Sequence, residues 1–251
     1  MIIAITNTKG GVGKTTTAIN LAAGLAQRKK QTLLVDLDPQ AHATSYFAKP
    51  PYERNVGDLI MDKPSMAKRA VSPTEDPYLN LVPATQQLTE TADLLSGRIR
   101  REERLLRALE TLKDEYHSIV LDCPPALGWL AYNAVMAADL IIVPLQPGAG
   151  NISGLQSLLD AAKKLRQGHT VPYRILITMF DVRTTRTNSI FEELLEEHRR
   201  RLLKTIIFKS ESLNQANLVG KPVSQYLTHS RGAFDYESLC DEILRLRVKP
   251  R

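Results

Sequence analysis

The residues with the clearest capacity for chemistry form a glycine-rich stretch near the start of the chain, Lys9-Gly10-Gly11-Val12-Gly13-Lys14-Thr15-Thr16. A short apolar run precedes it and a long amphipathic stretch follows, so the pattern predicts a loop between a strand and a helix. Closely spaced glycines let backbone N–H groups turn toward phosphate oxygens, and the helix N-terminus adds unpaired donors and a positive dipole end. The stretch therefore predicts an anion site.

Two side chains of this loop specify the anion. Lys14 is placed to reach the β and γ phosphates of a nucleotide, and the Thr15 hydroxyl is suited to ligate Mg²⁺. The motif is a variant, because Thr8 stands where the usual phosphate-loop pattern has glycine and Lys9 adds a second lysine at the entrance. A dinucleotide loop would need glycine where Thr16 stands. A nucleoside triphosphate with Mg²⁺ is the predicted ligand.

Carboxylates follow two further apolar runs. Asp36 and Asp38 come at the end of the run 32–35, and Asp122 follows 118–121. Because ligands of open α/β sheets bind beyond the carboxyl ends of the strands, these acids are predicted to meet the phosphate loop. Asp38 is predicted to orient or polarise the attacking water, and Asp122 to hold Mg²⁺ directly or through water. Capping of a helix or turn by Asp36 and Asp38 is the open alternative.

These motifs lie in an alternation of strand-length apolar runs and segments with helical periodicity. Strands are predicted over 2–5, 32–35, 79–82, 118–121, 140–143, 174–178 and 205–208, and helices over 15–27, 101–113, 152–165, 188–202 and 236–246. Because parallel strands need crossovers and are buried on both faces, this alternation predicts an α/β fold with a mostly parallel twisted sheet between two helical layers. We predict a single P-loop ATPase domain over 1–251, with a proline-rich surface excursion containing one short helix over about 47–78.

The composition is that of an ordinary globular protein. Of 251 residues, 43% are hydrophobic and 24% charged, with a formal net charge of +6, which excludes collagen-like and wholly disordered chains. Cys123 and Cys240 lack paired metal spacing. The first apolar run is too short for a signal peptide, and no run approaches the roughly 20 residues of a membrane span. We expect a cytoplasmic protein.

The glycine-rich loop, Asp36-Leu37-Asp38-Pro39-Gln40 and Asp122-Cys123-Pro124-Pro125 together resemble the deviant Walker A ATPases of the ParA/MinD family. Further stretches resemble the ParA branch: Asn133-Ala134, Ala137-Ala138-Asp139, residues 179–184, Gly220-Lys221-Pro222-Val223 and Ser230-Arg231-Gly232-Ala233. The resemblance spans nearly the whole chain except about 47–80. It departs from the family at 147–151, and again at Phe208, Lys209 and Ser210, so contacts with the base are not carried over.

The resemblance implies a weak Mg²⁺-dependent ATPase that sandwiches ATP between two subunits. Lys9 would then reach the phosphates of the second subunit and act with Lys14 and Asp38 in catalysis, while Thr15 and Asp122 would hold the metal. The resemblance also implies nonspecific DNA binding by the ATP dimer, a ParB-like or other adaptor that activates it, and a nucleoid location in a bacterium or archaeon. The activity would position a plasmid, a chromosome or another cargo, and hydrolysis would be the release step.

The candidate DNA contacts are Arg199, Arg200, Arg201 and Lys204, which end the helix predicted over 188–202. Phosphate contacts need only charge held on one surface. Other cations could contribute: Lys209, Lys221, Arg231, Arg245, Arg247, Lys249 and Arg251. The open alternative is that the helix-end cations complement the helix dipole and pair with neighbouring glutamates. A second basic run over 98–107 alternates with acids and is predicted to be a solvated helix face.

Two other functional classes share the phosphate loop. A MinD-like membrane-cycling ATPase needs a terminal amphipathic helix with bulky apolar residues, and Ile243, Leu244 and Leu246 look too few for that. A metabolic ligase or reductase would need a second substrate site or cluster ligands, which the sequence does not indicate. No membrane partner is therefore expected.

Overall fold

The computed structural model describes residues 1–148 and 151–248. Within them, eight strands form one sheet in the order β3-β4-β2-β5-β1-β6-β7-β8. Neighbouring strands are parallel except β3, which runs antiparallel to β4. In chain order the strands are β1 (Ile2–Ile5), β2 (Thr32–Asp36), β3 (Ser72–Pro73), β4 (Leu79–Val82), β5 (Ser118–Asp122), β6 (Leu140–Leu145), β7 (Tyr173–Phe180) and β8 (Leu202–Phe208).

Helices connect the strands and cover both faces of the sheet. They are α1 (Lys14–Gln27), α2 (His42–Phe47), α3 (Val56–Met61), α4 (Leu88–Leu95), α5 (Arg104–Glu110), α6 (Trp129–Ala137), α7 (Asn151–Leu165), α8 (Thr185–Leu194), α9 (Glu211–Leu218), α10 (Val223–Tyr226) and α11 (Arg231–Arg245). Short 3₁₀ segments lie at Pro64–Ala70, Arg101–Glu103, Lys113–Glu115 and Glu196–Arg201. Among the described residues, no helix has the length and apolar character needed to cross a bilayer.

The central strands are apolar on both sides because each side packs against a helical layer. In β1, Ile3 and Ile5 belong to one core cluster, and Ile2 and Ala4 belong to the other. Successive side chains of a strand point to opposite faces, so a strand between two layers of helices needs apolar residues at every position. The predicted α/β fold class is confirmed.

The predicted surface excursion over 47–78 is wrong in part. Helix α3, the 3₁₀ segment Pro64–Ala70 and strand β3 all lie there, and Val56 and Ile60 are buried in the core. Asn55 forms a capping box with Asp58 at the start of α3. The one short helix predicted for this stretch is present as α3, whereas the 3₁₀ segment and β3, each of which contains a proline, were missed because proline disrupts the patterns from which such elements are predicted.

The helix predicted over 188–202 is also wrong in its bounds. Helix α8 ends at Leu194, a 3₁₀ segment covers Glu196–Arg201, and β8 begins at Leu202 rather than at residue 205. The candidate DNA contact Lys204 therefore lies in a strand. The charged residues over 192–201 have the spacing of a helix, but the chain becomes extended from Leu202 because β8 pairs with β7 at the edge of the sheet.

The basic run over 98–107 does not form a uniformly solvated helix face. Arg104 donates to the backbone carbonyls of Ile60 (2.7 Å) and Met61 (2.8 Å), at the end of α3. The Arg101 guanidinium lies 4.0 Å from the centre of the Trp129 ring. These two arginines join neighbouring elements, so the prediction for this run is wrong at both positions.

Candidate functional site

The glycine-rich loop joins the end of β1 to the start of α1. Gly11 and Gly13 have φ angles of 72° and 86°, in the left-handed region where a side chain would be strained. The Thr178 hydroxyl, on β7, donates to the Val12 carbonyl at 2.9 Å. The loop is therefore fixed by glycine conformation and by a neighbouring strand, and it joins directly to the helix N-terminus, as the predicted anion site requires.

The two lysines of the loop occupy different environments. Lys14 is 6% exposed, and its Nζ donates to the Lys9 carbonyl at 2.9 Å. Burial lowers the pKa of Lys14, while the negative charge of Asp122 acts in the opposite direction. A bound phosphate would take the place of the Lys9 carbonyl as acceptor. The side chain of Lys9 is exposed at the loop entrance, from which a cation can reach a second molecule.

Asp122 is a fully buried carboxylate at the end of β5. Neither of its oxygens accepts a hydrogen bond from the described residues. Burial and the neighbouring Asp36 raise its pKa well above the usual range, whereas the nearby Thr15 hydroxyl and Lys14 oppose that rise. A buried carboxylate without a partner is costly, and a divalent cation supplies the missing partner. Oxygens from Asp122 and Thr15 are the hard ligands that Mg²⁺ prefers, so these residues fit the ion.

Asp36 is the last residue of β2 and the register partner of Asp122 on β5, and Asp38 lies two residues beyond the end of β2. Burial raises the pKa of Asp36 to about 6. Asp38 is partly exposed, and its Oδ1 accepts from the Gln40 backbone N–H at 3.0 Å. Both carboxylates thus form local turn contacts, which is the alternative that the sequence left open. Asp38 also lies close enough to Lys14 for its negative charge to raise the pKa of that lysine.

Beside the loop lies a cavity of about 300 Å³, which Gly13 and Thr16 border on one side. Its other walls include Met179, Asp181, Phe208, Lys209, Ser210 and Asn214. Phe208 packs edge-on against Phe180 at 5.6 Å between ring centres. No contacts with the base are predicted from the sequence, and in the structure the ends of β7 and β8 line a pocket large enough for a base. The sequence could have indicated this pocket, because its lining residues lie at or beyond the carboxyl ends of two predicted strands.

The candidate DNA contacts lie at the opposite end of the sheet from the phosphate loop, because they precede β8 or lie near its start. Arg199, Arg200, Arg201 and Lys204 are all exposed. Among the described residues, Arg199 pairs with Glu196 at 3.3 Å, and Arg201 lies 5.2 Å from the centre of the Tyr173 ring. Pairing with acids therefore accounts for one of these four cations. Lys249 and Arg251 lie outside the described residues.

Comparison with known sequences identifies relatives along the whole chain. A family model described as an AAA domain matches residues 1–175. The sporulation initiation inhibitor protein Soj of Bacillus subtilis (strain 168) is 40% identical, with 96% of this chain and 97% of that protein covered. The chromosome partitioning protein ParA of Myxococcus xanthus (strain DK1622) is 39% identical, with coverages of 97% and 88%.

Solved structures agree with the sequence relatives. A protein of Borrelia burgdorferi B31 assigned to plasmid partition, bound to AMPPNP, has a TM-score of 0.82 at 26% identity and covers 97% of this chain and 98% of its own. Cobyrinic acid a,c-diamide synthase from Mycobacterium smegmatis, with a bound ATP analogue and magnesium, has a TM-score of 0.80 at 29% identity, with coverages of 99% and 98%. With a variant phosphate loop, a matching sheet and relatives at about 40% identity over nearly its full length, the chain belongs to the ParA/MinD family of P-loop ATPases.

Proposed function

We propose that this protein is a Mg²⁺-dependent ATPase of the ParA type, whose ATP-bound form closes into a homodimer, binds nonspecific DNA and is released by hydrolysis. Its work is to position a plasmid, a chromosome or another cargo on the nucleoid, with a ParB-like or other adaptor as activator. The observation that carries the proposal is the buried carboxylate of Asp122, which accepts no hydrogen bond from the described residues and lies near Thr15 and Lys14 at the base of a phosphate loop.

The residues of the site have distinct roles in this proposal. Backbone N–H groups from Gly10 to Thr16 cradle the phosphates, and Lys14 leaves the Lys9 carbonyl to bind the β and γ oxygens. Thr15 and Asp122 hold Mg²⁺, which neutralises charge on the phosphates when bound. Asp38 orients the attacking water. The cavity next to Gly13 receives the base. Relatives described as partition proteins, and structures solved with an ATP analogue, support this assignment.

The dimer is proposed on the position of Lys9. Its side chain is exposed at the loop entrance, while Lys14 already occupies the inside of the loop. A second lysine at the entrance adds little to a phosphate bound in its own loop. Offered to the nucleotide of a second subunit, the same cation stabilises negative charge on the transferred phosphoryl group and couples assembly to hydrolysis. Turnover is therefore expected to be slow in the monomer.

DNA is favoured over a membrane as the bound surface because the apolar side chains over 243–248 already pack against the protein core. Ile243 is buried, and Leu244, Leu246 and Val248 pack against the core. An interfacial helix must keep such residues free to enter the lipid. A MinD-like membrane cycle therefore lacks the apolar surface it needs in this part of the chain.

The test is the oligomeric state of Asp38→Ala with ATP and Mg²⁺, measured by light scattering after size-exclusion chromatography. We expect a stable dimer with ATP and a monomer without it, because Asp38 acts after binding. Lys14→Ala is the control and should remain monomeric, since it loses phosphate affinity.

The second measurement compares how much of the ATP-bound Asp38→Ala dimer is retained on nonspecific DNA duplex and on anionic vesicles. A strictly monomeric protein, or retention on vesicles alone, would contradict the proposal.

A further inference from the structure

The buried carboxylate of Asp36 holds both ends of the loop that carries Asp38. Its Oδ1 accepts from the Asp38 backbone N–H at 3.0 Å, and its Oδ2 accepts from the backbone N–H (2.8 Å) and the hydroxyl (2.7 Å) of Thr44. Asp36 is completely buried, and Thr44 is 1% exposed. One rigid side chain on a central strand therefore fixes where the loop leaves β2 and where it enters α2.

Asp36 also replaces the cap that α2 lacks. The residue at the N-cap position is Ala41, with a φ of 54° and no side-chain hydrogen bond to the helix. In most helices the N-cap side chain accepts from the backbone N–H at the second or third helical position. Here the third position is Thr44, and the acceptor is Asp36, which comes from the strand. A helix of one and a half turns without its own cap depends on such an external contact.

The Thr44 hydroxyl extends this anchor to a third element. It donates to Asp36 and accepts from the Ala84 backbone N–H, just after β4, at 2.9 Å. The hydroxyl therefore acts both as a hydrogen-bond donor and as a hydrogen-bond acceptor. The loop is positioned against β2 and the end of β4 together, while Asp38 itself remains partly exposed and is held by the turn to Gln40.

We propose that Asp36 and Thr44 are positioning residues for hydrolysis, and that they set the place of the Asp38 carboxylate without contacting the nucleotide. The inference rests on the proposed function, in which Asp38 orients the attacking water. Small misplacements of a group that orients a nucleophile are costly, with losses of about 100-fold for a shift near 1 Å. From Asp38 to His42 the loop is at least partly exposed, and its hydrogen bonds there are within the turn, such as that from the Ala41 N–H to the Asp38 carbonyl at 2.8 Å.

The test is Thr44→Val, which keeps the shape of the side chain and removes the hydroxyl. We expect kcat to fall by about 10- to 100-fold, as for other residues that orient a catalytic group, while ATP affinity and KM stay near wild type. Thr44→Ser, which keeps the hydroxyl, should restore most of kcat. Thr32→Val is the matched control, because Thr32 is as buried as Thr44, lies on the strand that carries Asp36, and among the described residues its hydroxyl bonds only to the Lys30 carbonyl.

A double variant separates positioning from general damage. If Thr44 acts through Asp38, Thr44→Val should have no further effect on the residual single-turnover rate of Asp38→Ala. An equal loss of kcat in Thr44→Val and Thr32→Val, or a further loss in the double variant, would overturn the inference. Wild-type turnover in Asp38→Ala would instead contradict the proposed function. Should Thr44→Val fail to fold, Asp36→Asn is measured in the same way, because it keeps one acceptor oxygen and puts an amide donor in place of the other, so that Asp38 and Thr44 can no longer both be bonded.

Discussion

Asp122 illustrates how a single residue can favour binding at the expense of stability. Its carboxylate is fully buried at the end of β5, and neither oxygen has a hydrogen-bond partner among the described residues. Burying an unpaired charge is among the most destabilising arrangements in a protein. In the proposed function, a cation bound there together with Thr15 would convert the unfavourable burial into metal affinity. Asp122 should therefore trade stability for function.

We predict that Asp122→Asn stabilises the nucleotide-free protein by about 1 to 3 kcal/mol at neutral pH, because it removes a buried charge. Since the pKa of Asp122 is raised in the folded state, the contribution of this group to the free energy of unfolding of the wild type should fall as pH rises above about 4. The variant should show a smaller fall. Urea denaturation at several pH values measures both effects. The stabilisation that Mg²⁺–ATP gives the wild type should be largely lost in the variant, and its persistence would exclude Asp122 from the metal site.

Among the elements, α1 and α11 form a close helix pair, in which α1 begins at the phosphate loop and α11 lies against it. The two helices approach so closely that a Cβ at Gly24 would lie 2.5 Å from the Cys240 sulfur. Nearer the loop, the Thr17 hydroxyl lies 3.2 Å from that of Tyr236. The packing of α11 therefore helps to fix the helix whose N-terminus forms part of the phosphate site.

We predict that Gly24→Ala destabilises the protein by about 1 to 3 kcal/mol, as overpacking of a core does. The sign is informative, because the same change in an exposed helix interior stabilises by about 1 kcal/mol. Cys240→Ala provides the matched second variant: it removes the sulfur, so the double variant should recover much of the lost stability. Thermal or urea unfolding of the four proteins completes the cycle. A stabilising Gly24→Ala would show that the two helices are not in close contact.

Across the whole molecule, the direction of the parallel strands places the phosphate loop and the candidate DNA contacts at opposite ends of the sheet. The phosphate loop follows the carboxyl end of β1, whereas the basic residues Arg199, Arg200, Arg201 and Lys204 lie near the amino end of β8. A ligand bound to those cations would therefore not contact a nucleotide bound at the phosphate loop. Control of DNA binding by ATP would then act through the assembly of two subunits, because a dimer doubles the number of DNA phosphates that can be neutralised.

We predict that replacing these four cations by alanine weakens DNA binding by the ATP-bound dimer. The slope of log K against log salt should become shallower by roughly 0.9 for each DNA phosphate that the variant no longer neutralises. Fluorescence anisotropy with a nonspecific duplex at several salt concentrations measures this slope. The control removes four other exposed cations, Arg98, Arg100, Lys163 and Lys164. An equal change of slope in the control would mean that total charge, and not this cluster, determines binding.

The sequence by itself determined the family, the α/β class and the phosphate site. These features depend on local rules: glycine spacing that permits Gly11 and Gly13 to turn, a Lys14-Thr15 pair at a helix start, and apolar runs that end in Asp36 and Asp122. Of the eight strands in the described part of the chain, seven were predicted at or near their observed positions, and the two-residue β3 was missed. Local patterns suffice for such elements because a buried strand needs apolar residues on both faces wherever it lies.

Only the tertiary structure decided which groups meet. It showed that Asp122 has no hydrogen-bond partner among the described residues, that Asp36 caps a helix through Thr44, and that residues after β7 and β8 enclose a cavity beside Gly13. It also ended α8 at Leu194 and placed Lys204 in a strand. Each of these facts depends on how elements pack in space, even where the partners, such as Asp36 and Thr44, are only eight residues apart in the chain. Sequence periodicity reports which face of an element is apolar, but it carries no information about the element packed against that face.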